Sequence, residues 1–245
     1  KTPTFRHKAY ADYKAGRKKM PTELAMELPL MKDILTAMHI ENLEIDGFEA
    51  DDIIGTVART GEEEGLEPLI ITGDKDALQL ATDKTHILIT RRGISEFDLY
   101  DRKKMIERYE LTPEQFIDLK GLMGDQSDNI PGIPGVGEKT GIKLLKEFGS
   151  VAELLENTDR IKNEKLKAKV EDNAQLAAMS RKLAEINTNV PIEFDIKDMK
   201  VTEPDYKSLV EIYKKLEFNS FLKKLQVPER IDPALPGQIA PEEEV

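Results

Sequence analysis

Between Glu49 and Thr72 the apolar spacing changes period once, and few architectures accommodate that change. Ile53, Ile54, Val57 and Ala58 recur at helical spacing over Glu49 to Glu64, and Gly65 ends the pattern. The run Glu67-Pro68-Leu69-Ile70-Ile71-Thr72 then reads as a buried strand closed by Gly73. Helix, short loop and strand in that order are the rhythm of an α/β fold. Downstream, Thr85 to Thr90 and Ile94 to Tyr100 are strand-like runs around Arg91-Arg92-Gly93 and predict a hairpin or edge pair.

Helical patterns flank this core. Thr22 to Ile40 carries Leu24, Leu28, Met31, Ile34, Leu35 and Met38 near helical spacing. Pro29 is expected to break or kink it, leaving one helix after the break. Asp101 can cap Arg102 to Tyr109, and Thr112-Pro113-Glu114-Gln115 combines a cap with Pro at a first helical position. After Gly124 the pattern is mostly helical to Leu225. Pro228 to Val245, with four Pro and an acidic end, reads as a linker or disordered terminus.

Composition narrows the partners. At 245 residues the chain can bury a real apolar core without staples. With 0 Cys it has neither disulfides nor thiolate metal sites, which fits a cytoplasmic setting. The longest apolar runs are strand-sized, so no membrane span is expected. Lys1-Thr2-Pro3-Thr4-Phe5-Arg6 has neither an initiator Met nor a signal-peptide core and reads as an interior starting point. The net charge of −11 argues against nucleic acid if spread evenly, but it is not. Lys1 to Lys19 holds seven Lys or Arg against one acidic residue, Asp12.

Seven carboxylates lie at positions suited to chemistry: Glu49, Asp51, Asp52, Asp74, Asp76, Asp125 and Asp128. Glu49 and Asp52, three apart, share a face on a helix, whereas Asp51 points away unless the first turn is irregular. Asp74 and Asp76 follow a strand at its carboxyl end, where open α/β sheets bind ligands. Asp125 and Asp128 sit in Gly124-Asp125-Gln126-Ser127-Asp128-Asn129, before a Gly- and Pro-rich turn. Taken singly, each group is as well read as helix-capping or turn-forming acid. In combination they suit Mg²⁺ or Mn²⁺, which prefer oxygen ligands, and two such ions about 4 Å apart serve phosphoryl transfer.

Two further stretches suit phosphate. Gly135-Val136-Gly137-Glu138-Lys139-Thr140 precedes the helical run Gly141 to Phe148, so backbone N–H groups at a helix start can face an anion. This Gly-x-Gly turn matches a helix-hairpin-helix element, which grips DNA backbone without reading sequence, or else a tight corner that touches nothing. Phe5, Arg6, His7, Tyr10, Tyr13, Lys14, Arg17, Lys18 and Lys19 interleave aromatics with cations, as single-strand binding requires, although a solvated basic face has the same composition. On a helix, Lys14 and Arg17 would form one cationic face able to polarise a scissile phosphate.

Phe5-Arg6-His7 with Tyr13-Lys14-x-x-Arg17, Glu49-Ala50-Asp51-Asp52, Gly73-Asp74-Lys75-Asp76, Gly124-Asp125-x-x-Asp128-Asn129-Ile130-Pro131-Gly132 and Gly135-Val136-Gly137-Glu138-Lys139-Thr140 occur in this order over roughly Lys1 to Leu225. Together they resemble the 5′ to 3′ exonuclease and flap endonuclease superfamily, and within it the N-terminal nuclease domains of bacterial DNA polymerases I. The resemblance implies a PIN-like or resolvase-like parallel-sheet α/β core over 1–120, with a basic helical arch in 1–30. A mostly helical helix-hairpin-helix DNA-binding region over 121–226 and a Pro-rich acidic tail over 227–245 would follow.

The implied activity is structure-specific hydrolysis of DNA at 5′ ends, nicks and 5′ flaps, in primer removal and repair. Glu49, Asp51, Asp52 and Asp74 would serve one Mg²⁺ or Mn²⁺ site, directly or through water, with Asp76, Asp125 and Asp128 at the second. Lys14, Arg17 and Asp74 would be catalytic. Phe5, Arg6, His7, Tyr13, Lys14, Arg17, Gly135, Val136, Gly137, Lys139 and Thr140 would contact DNA, with K⁺ on carbonyls of the hairpin. The implied setting is a monomer in the bacterial cytoplasm, at the nucleoid, joined to a polymerase domain and away from membranes. The family also carries an Asp-Gly-Asn strand and a second Asp-bearing strand, both upstream of Lys1, so the chain is expected to be a fragment of a complete enzyme rather than a truncated product. Two other readings are a DNA-junction-binding module without turnover and a metal-dependent phosphatase or ribonuclease.

Overall fold

The computed structural model describes residues 2–92 and 96–225. The expectations placed on Lys1, on Gly93, Ile94 and Ser95 and on the Pro228 to Val245 tail lie outside the described residues.

By contact the described residues divide into two compact units, those of 2–20 with 43–198, and those of 21–42 with 199–225. The boundary expected at 120/121 falls inside a helix, α5 (Pro113–Met123). Helices α1 (Phe5–Ala9), α3 (Ala50–Glu63), α4 (Arg102–Tyr109), α5, α6 (Glu138–Phe148), α7 (Val151–Glu156), α8 (Glu164–Asp172) and α9 (Ala174–Ala184) belong to the first unit. Its sheet has the order β1 (Leu69–Thr72), β2 (His86–Arg92), β3 (Glu96–Tyr100). β1 and β2 are parallel, pairing Leu69 with His86 and Thr72 with Ile89, while β2 and β3 are antiparallel, pairing Ile87 with Tyr100. The expected parallel sheet is thus mixed among the described residues, because a parallel pair needs a long crossover, which residues 73–85 supply between β1 and β2 and the three residues between β2 and β3 do not.

One face of the sheet carries buried Ile70, Ile87, Ile89 and Tyr100. They join Leu78, Met105, Leu111, Leu122, Leu145 and Leu154 in a single apolar core. Burying each such aliphatic side chain contributes roughly 1.5–3 kcal/mol. The other face bears exposed Leu69, Ile71, Phe97 and Leu99. Among the described residues β1 pairs on one side only, through β2.

Local signals fix the helix starts. The Asp101 carboxylate accepts the Lys104 N–H, and Thr112 and Gln115 form a reciprocal capping box ahead of Pro113. Pro29 does not break its helix: α2 runs unbroken over Thr22–Ala37. Residues 22–29 are exposed on that helix, so the Ala25 carbonyl that Pro29 leaves without an N–H is open to water. In this second unit α2 packs with α10 (Tyr206–Lys215), burying Ala37, Leu209 and Tyr213, and α11 (Asn219–Leu225) adds Leu222 and Leu225.

The segment after α5 is closed into a loop. Asp125 and Ile130 exchange both backbone hydrogen bonds at 2.8 Å, forming an antiparallel bridge. Gly132 crosses the end of α5 so closely that a Cβ there would lie 2.2 Å from the Gly124 nitrogen. Its φ of 61° lies in the left-handed region, and its N–H donates to the buried Ser180 hydroxyl. Gly132→Ala is therefore expected to destabilise the fold by at least about 2 kcal/mol, combining backbone strain with a backbone clash. Thermal unfolding tests this; an unchanged midpoint would mean the crossing can relax.

Candidate active site

The acidic residues approach one another because three segments converge: the start of α3, the end of β1 and the 125–130 loop. Glu49 is the cap of α3 and extended, with the helix beginning at Ala50. The three-apart rule for a shared helical face therefore does not govern Glu49 and Asp52. Asp52 turns inward, where its Oδ2 accepts the Glu49 N–H at 3.0 Å and Arg6 at 2.8 Å. Its Oδ1 accepts Arg6 at 2.7 Å and the Asn187 N–H at 2.8 Å. Asp52 is 0% exposed and both its oxygens are doubly engaged, which corrects the expectation that it is a metal ligand. Burial alone would raise its pKa, but the Arg6 and backbone hydrogen bonds hold the carboxyl below its ordinary value.

Arg6 is the centre of this anchor. It also donates to the Leu183 carbonyl at 2.8 Å and the Glu185 carbonyl at 2.6 Å, and its guanidinium lies 4.5 Å from the centre of the Phe5 ring. Phe5 in turn packs on Phe48. Tyr13 is equally inward, 3% exposed, with its hydroxyl 3.0 Å from Glu49 and 3.1 Å from Asp128. Burial and the two carboxylates raise its pKa far above the ordinary value. Arg6 and Tyr13 therefore cannot meet DNA as expected. His7 faces the edge of Tyr13, and its Nδ1 lies 2.8 Å from the Thr4 hydroxyl.

Lys14 and Arg17 do not lie on a helix. Residues 11–16 form turns, and Lys14 has a φ of 57°. The Lys14 N–H donates to the Asp128 carbonyl, and Asn129 Nδ2 donates to the Asp12 carbonyl, which fastens this turn to the 125–130 loop. Both cations still reach the acids. Lys14 Nζ lies 2.7 Å from Glu49 and 3.4 Å from Asp128, and Arg17 pairs with Asp128 at 2.5 Å.

On the far side of the cluster Lys120, from α5, bridges two acids. Its ammonium lies 2.8 Å from Asp76 Oδ1 and donates to Asp125 Oδ2. Sequence reasoning missed it. The available signal was a single charged residue within the otherwise apolar Leu119–Met123. Asp51 and Asp74 have no ion pair among the described residues. Burial and the nearby Asp74 charge raise the pKa of Asp51 despite Lys14. Burial likewise raises Asp76, with Asp74 and Asp125 adding to it and Lys120 opposing it. Asp74, exposed at the end of β1, accepts the Asp76 N–H.

The donors suit an oxygen-seeking divalent cation, and an ammonium already bridges two of them. Among the described residues, however, no three acidic or His side chains are drawn tightly enough together to form a ready-made metal site. Lys14, Arg17 and Lys120 are paired to oxygens of Glu49, Asp76, Asp125 and Asp128.

The hairpin lies elsewhere in the same unit. Gly135 has a φ of 80°, Val136 is buried and Gly137 caps α6. Lys139 is exposed and Thr140 half-buried in the first turn. Lys169, absent from any motif, brings its ammonium so close to Gly135 that a Cβ there would lie 2.7 Å away. None of the helices among the described residues is long and apolar enough to cross a membrane.

Residues 1–110 match the family description "5′-3′ exonuclease, N-terminal resolvase-like domain". Residues 111–207 match "5′-3′ exonuclease, C-terminal SAM fold". The chain is 49% identical over 222 residues to DNA polymerase I of Bacillus subtilis, covering 91% of this chain and 25% of that protein. To the thermostable DNA polymerase I of Thermus filiformis it is 41% identical over 222 residues, with 91% and 26% covered. It thus spans about a quarter of the length of the curated relatives it matches. Among solved structures, the T5 D15 protein co-crystallised with metal ions superposes with a TM-score of 0.63 at 22% identity, over 92% of this chain and 80% of that one. The catalytic core of Rad2 in complex with DNA substrate gives 0.61 at 16% identity, over 93% and 76%.

Proposed function

The chain belongs to the 5′-3′ exonuclease family, and on that premise we propose that it is a structure-specific 5′ nuclease, hydrolysing DNA phosphodiesters at 5′ ends and flap junctions in replication and repair. The observation that carries the proposal is the convergence of Asp51, Asp74, Asp76 and Asp125, whose mutual repulsion and partial burial favour a cation among them. These four, with Glu49 and Asp128 beside them, would hold Mg²⁺ or Mn²⁺. Bound there, such ions supply an activated water and charge stabilisation for phosphoryl transfer.

The chain's own groups do the rest. Lys14 and Arg17, the latter half exposed, offer positive charge to a phosphate at the mouth of the cluster. The backbone at Gly135 to Thr140, with Lys139 and Lys169, offers a second anchor to the duplex backbone, where contacts position without reading sequence. The relatives' names support its working as the nuclease portion of a DNA polymerase I.

A 5′-labelled flapped duplex, incubated with the chain and Mg²⁺ or Mn²⁺, should lose its flap, and EDTA should abolish the release. Tight junction binding without cleavage in either metal would overturn the nuclease reading. It would favour a junction-binding module, the reading suggested by how many of the acids are neutralised internally.

A further inference from the structure

We propose that Lys120 is a built-in counter-ion that keeps the place of a divalent cation between Asp76 and Asp125, and that it must withdraw when a cation binds there. Lys120 would then be a positioning residue that sets the cation affinity of this half of the site. The inference rests on reading the acids as a metal site.

Competition for the same atoms is the first ground. Asp125 Oδ1 is committed to its own loop, accepting the Ser127 N–H at 2.8 Å and the Ser127 hydroxyl at 2.6 Å. Oδ2 takes neither Ser127 bond, and the Lys120 ammonium donates to it. Asp76 Oδ1 is held by the same nitrogen at 2.8 Å. A cation bridging Asp76 and Asp125 through these oxygens must displace Lys120.

The second ground is the contrast with Arg6. That guanidinium grips Asp52 with two nitrogens and two carbonyls with the remaining donors, a geometry in which every group is fixed. Lys120 makes point contacts only, at the end of a four-carbon stem rooted in α5 between buried Leu119 and buried Gly121. A flexible ammonium brings one charge, whereas a divalent cation brings two and prefers carboxylate oxygen. The exchange is therefore favourable, and the ammonium lowers the apparent affinity of whatever replaces it.

Titration of the 245-residue chain with Mn²⁺, followed by electron paramagnetic resonance of the free ion and by thermal shift, tests this. Lys120→Gln should bind Mn²⁺ about tenfold more tightly than the parent chain. It should also melt lower without Mn²⁺ and gain more on adding it, whereas a purely structural lysine would lower the melting point without tightening Mn²⁺. Lys120→Arg keeps the charge and holds both carboxylates more firmly, so it should bind Mn²⁺ several-fold more weakly. Mn²⁺ affinity in Lys120→Gln equal to or weaker than the parent's, with the parent binding, would overturn the inference alone, as would undiminished affinity in Lys120→Arg. Binding by Lys120→Gln but not by the parent would support it strongly. Absence of binding in all three proteins would overturn the metal-site reading itself, and the inference with it.

Discussion

An Arg6→Ala variant is expected to lose about 3–5 kcal/mol of folding stability, the cost of leaving a buried carboxylate without its partner. That is a large share of the roughly 5–15 kcal/mol that holds a typical domain. Arg6 ties α1 to the first turn of α3 through Asp52, and ties both to the end of α9 at Leu183 and to Glu185 just beyond it. Removing it leaves Asp52, which is wholly buried, with two backbone N–H bonds and no counter-charge, and leaves two carbonyls without their donor. The unfolding free energy in urea measures the loss. The pair Arg6→Met with Asp52→Leu separates the orphaned charge from lost packing. Replacing both partners by apolar groups should recover much of the stability, since a buried ion pair contributes little over well-packed hydrocarbon. A loss below about 1 kcal/mol in Arg6→Ala would mean that water reaches Asp52.

Asp74→Asn is expected to act on function and leave the fold alone. Asp74 is exposed, has no ion pair among the described residues, and the hydrogen bond its side chain accepts from the Asp76 N–H can be accepted equally by an amide oxygen. What the substitution removes is negative charge beside Asp51 and Asp76. Loss of a group that holds charge in a phosphoryl-transfer site costs about 10²–10³-fold in turnover, or roughly 3–4 kcal/mol of barrier. Flap cleavage should fall by that amount, while flap binding measured in EDTA should hold or improve, because one like charge facing the phosphates has gone. Cleavage within threefold of the parent chain would remove Asp74 from the reaction and shift the weight to Asp76 and Asp125.

The two variants mark where sequence reading succeeds and where it stops. Features set by neighbours in the chain were legible: the caps at Asp101 and Thr112, the strand before Gly73, the hairpin strands and the helix stop at Gly65. The seven acids were legible as candidates on three segments, but the convergence of those segments was not, since only the fold brings Glu49, Asp74 and Asp125 together. Nor was their division of labour, because it depends on groups distant in sequence. Asp52 reads as a ligand until Arg6, 46 positions away, is seen to consume it. Tyr13 and Arg6 read as a DNA-facing pair until their burial is seen. Lys14 and Arg17 keep their cationic partnership but lose their helix, because the Lys14 backbone is held left-handed against Asp128. Pro29 sits in an intact helix because its first turns are exposed, a property that no local pattern encodes.

The single-sided pairing of β1 has a consequence for isotope exchange. In a strand with one neighbour, alternate amides point to that neighbour and the rest point outward, so part of Leu69–Thr72 has no ladder partner among the described residues to protect it from deuterium. Asp74 and Asp76 follow directly on that strand, and the acidic loop thus hangs from one of the less tethered parts of the sheet. Deuterium uptake over residues 69–76 should run ahead of that over β2, which is bonded on both sides, and a ligand that gathers the acids should slow the first far more than the second.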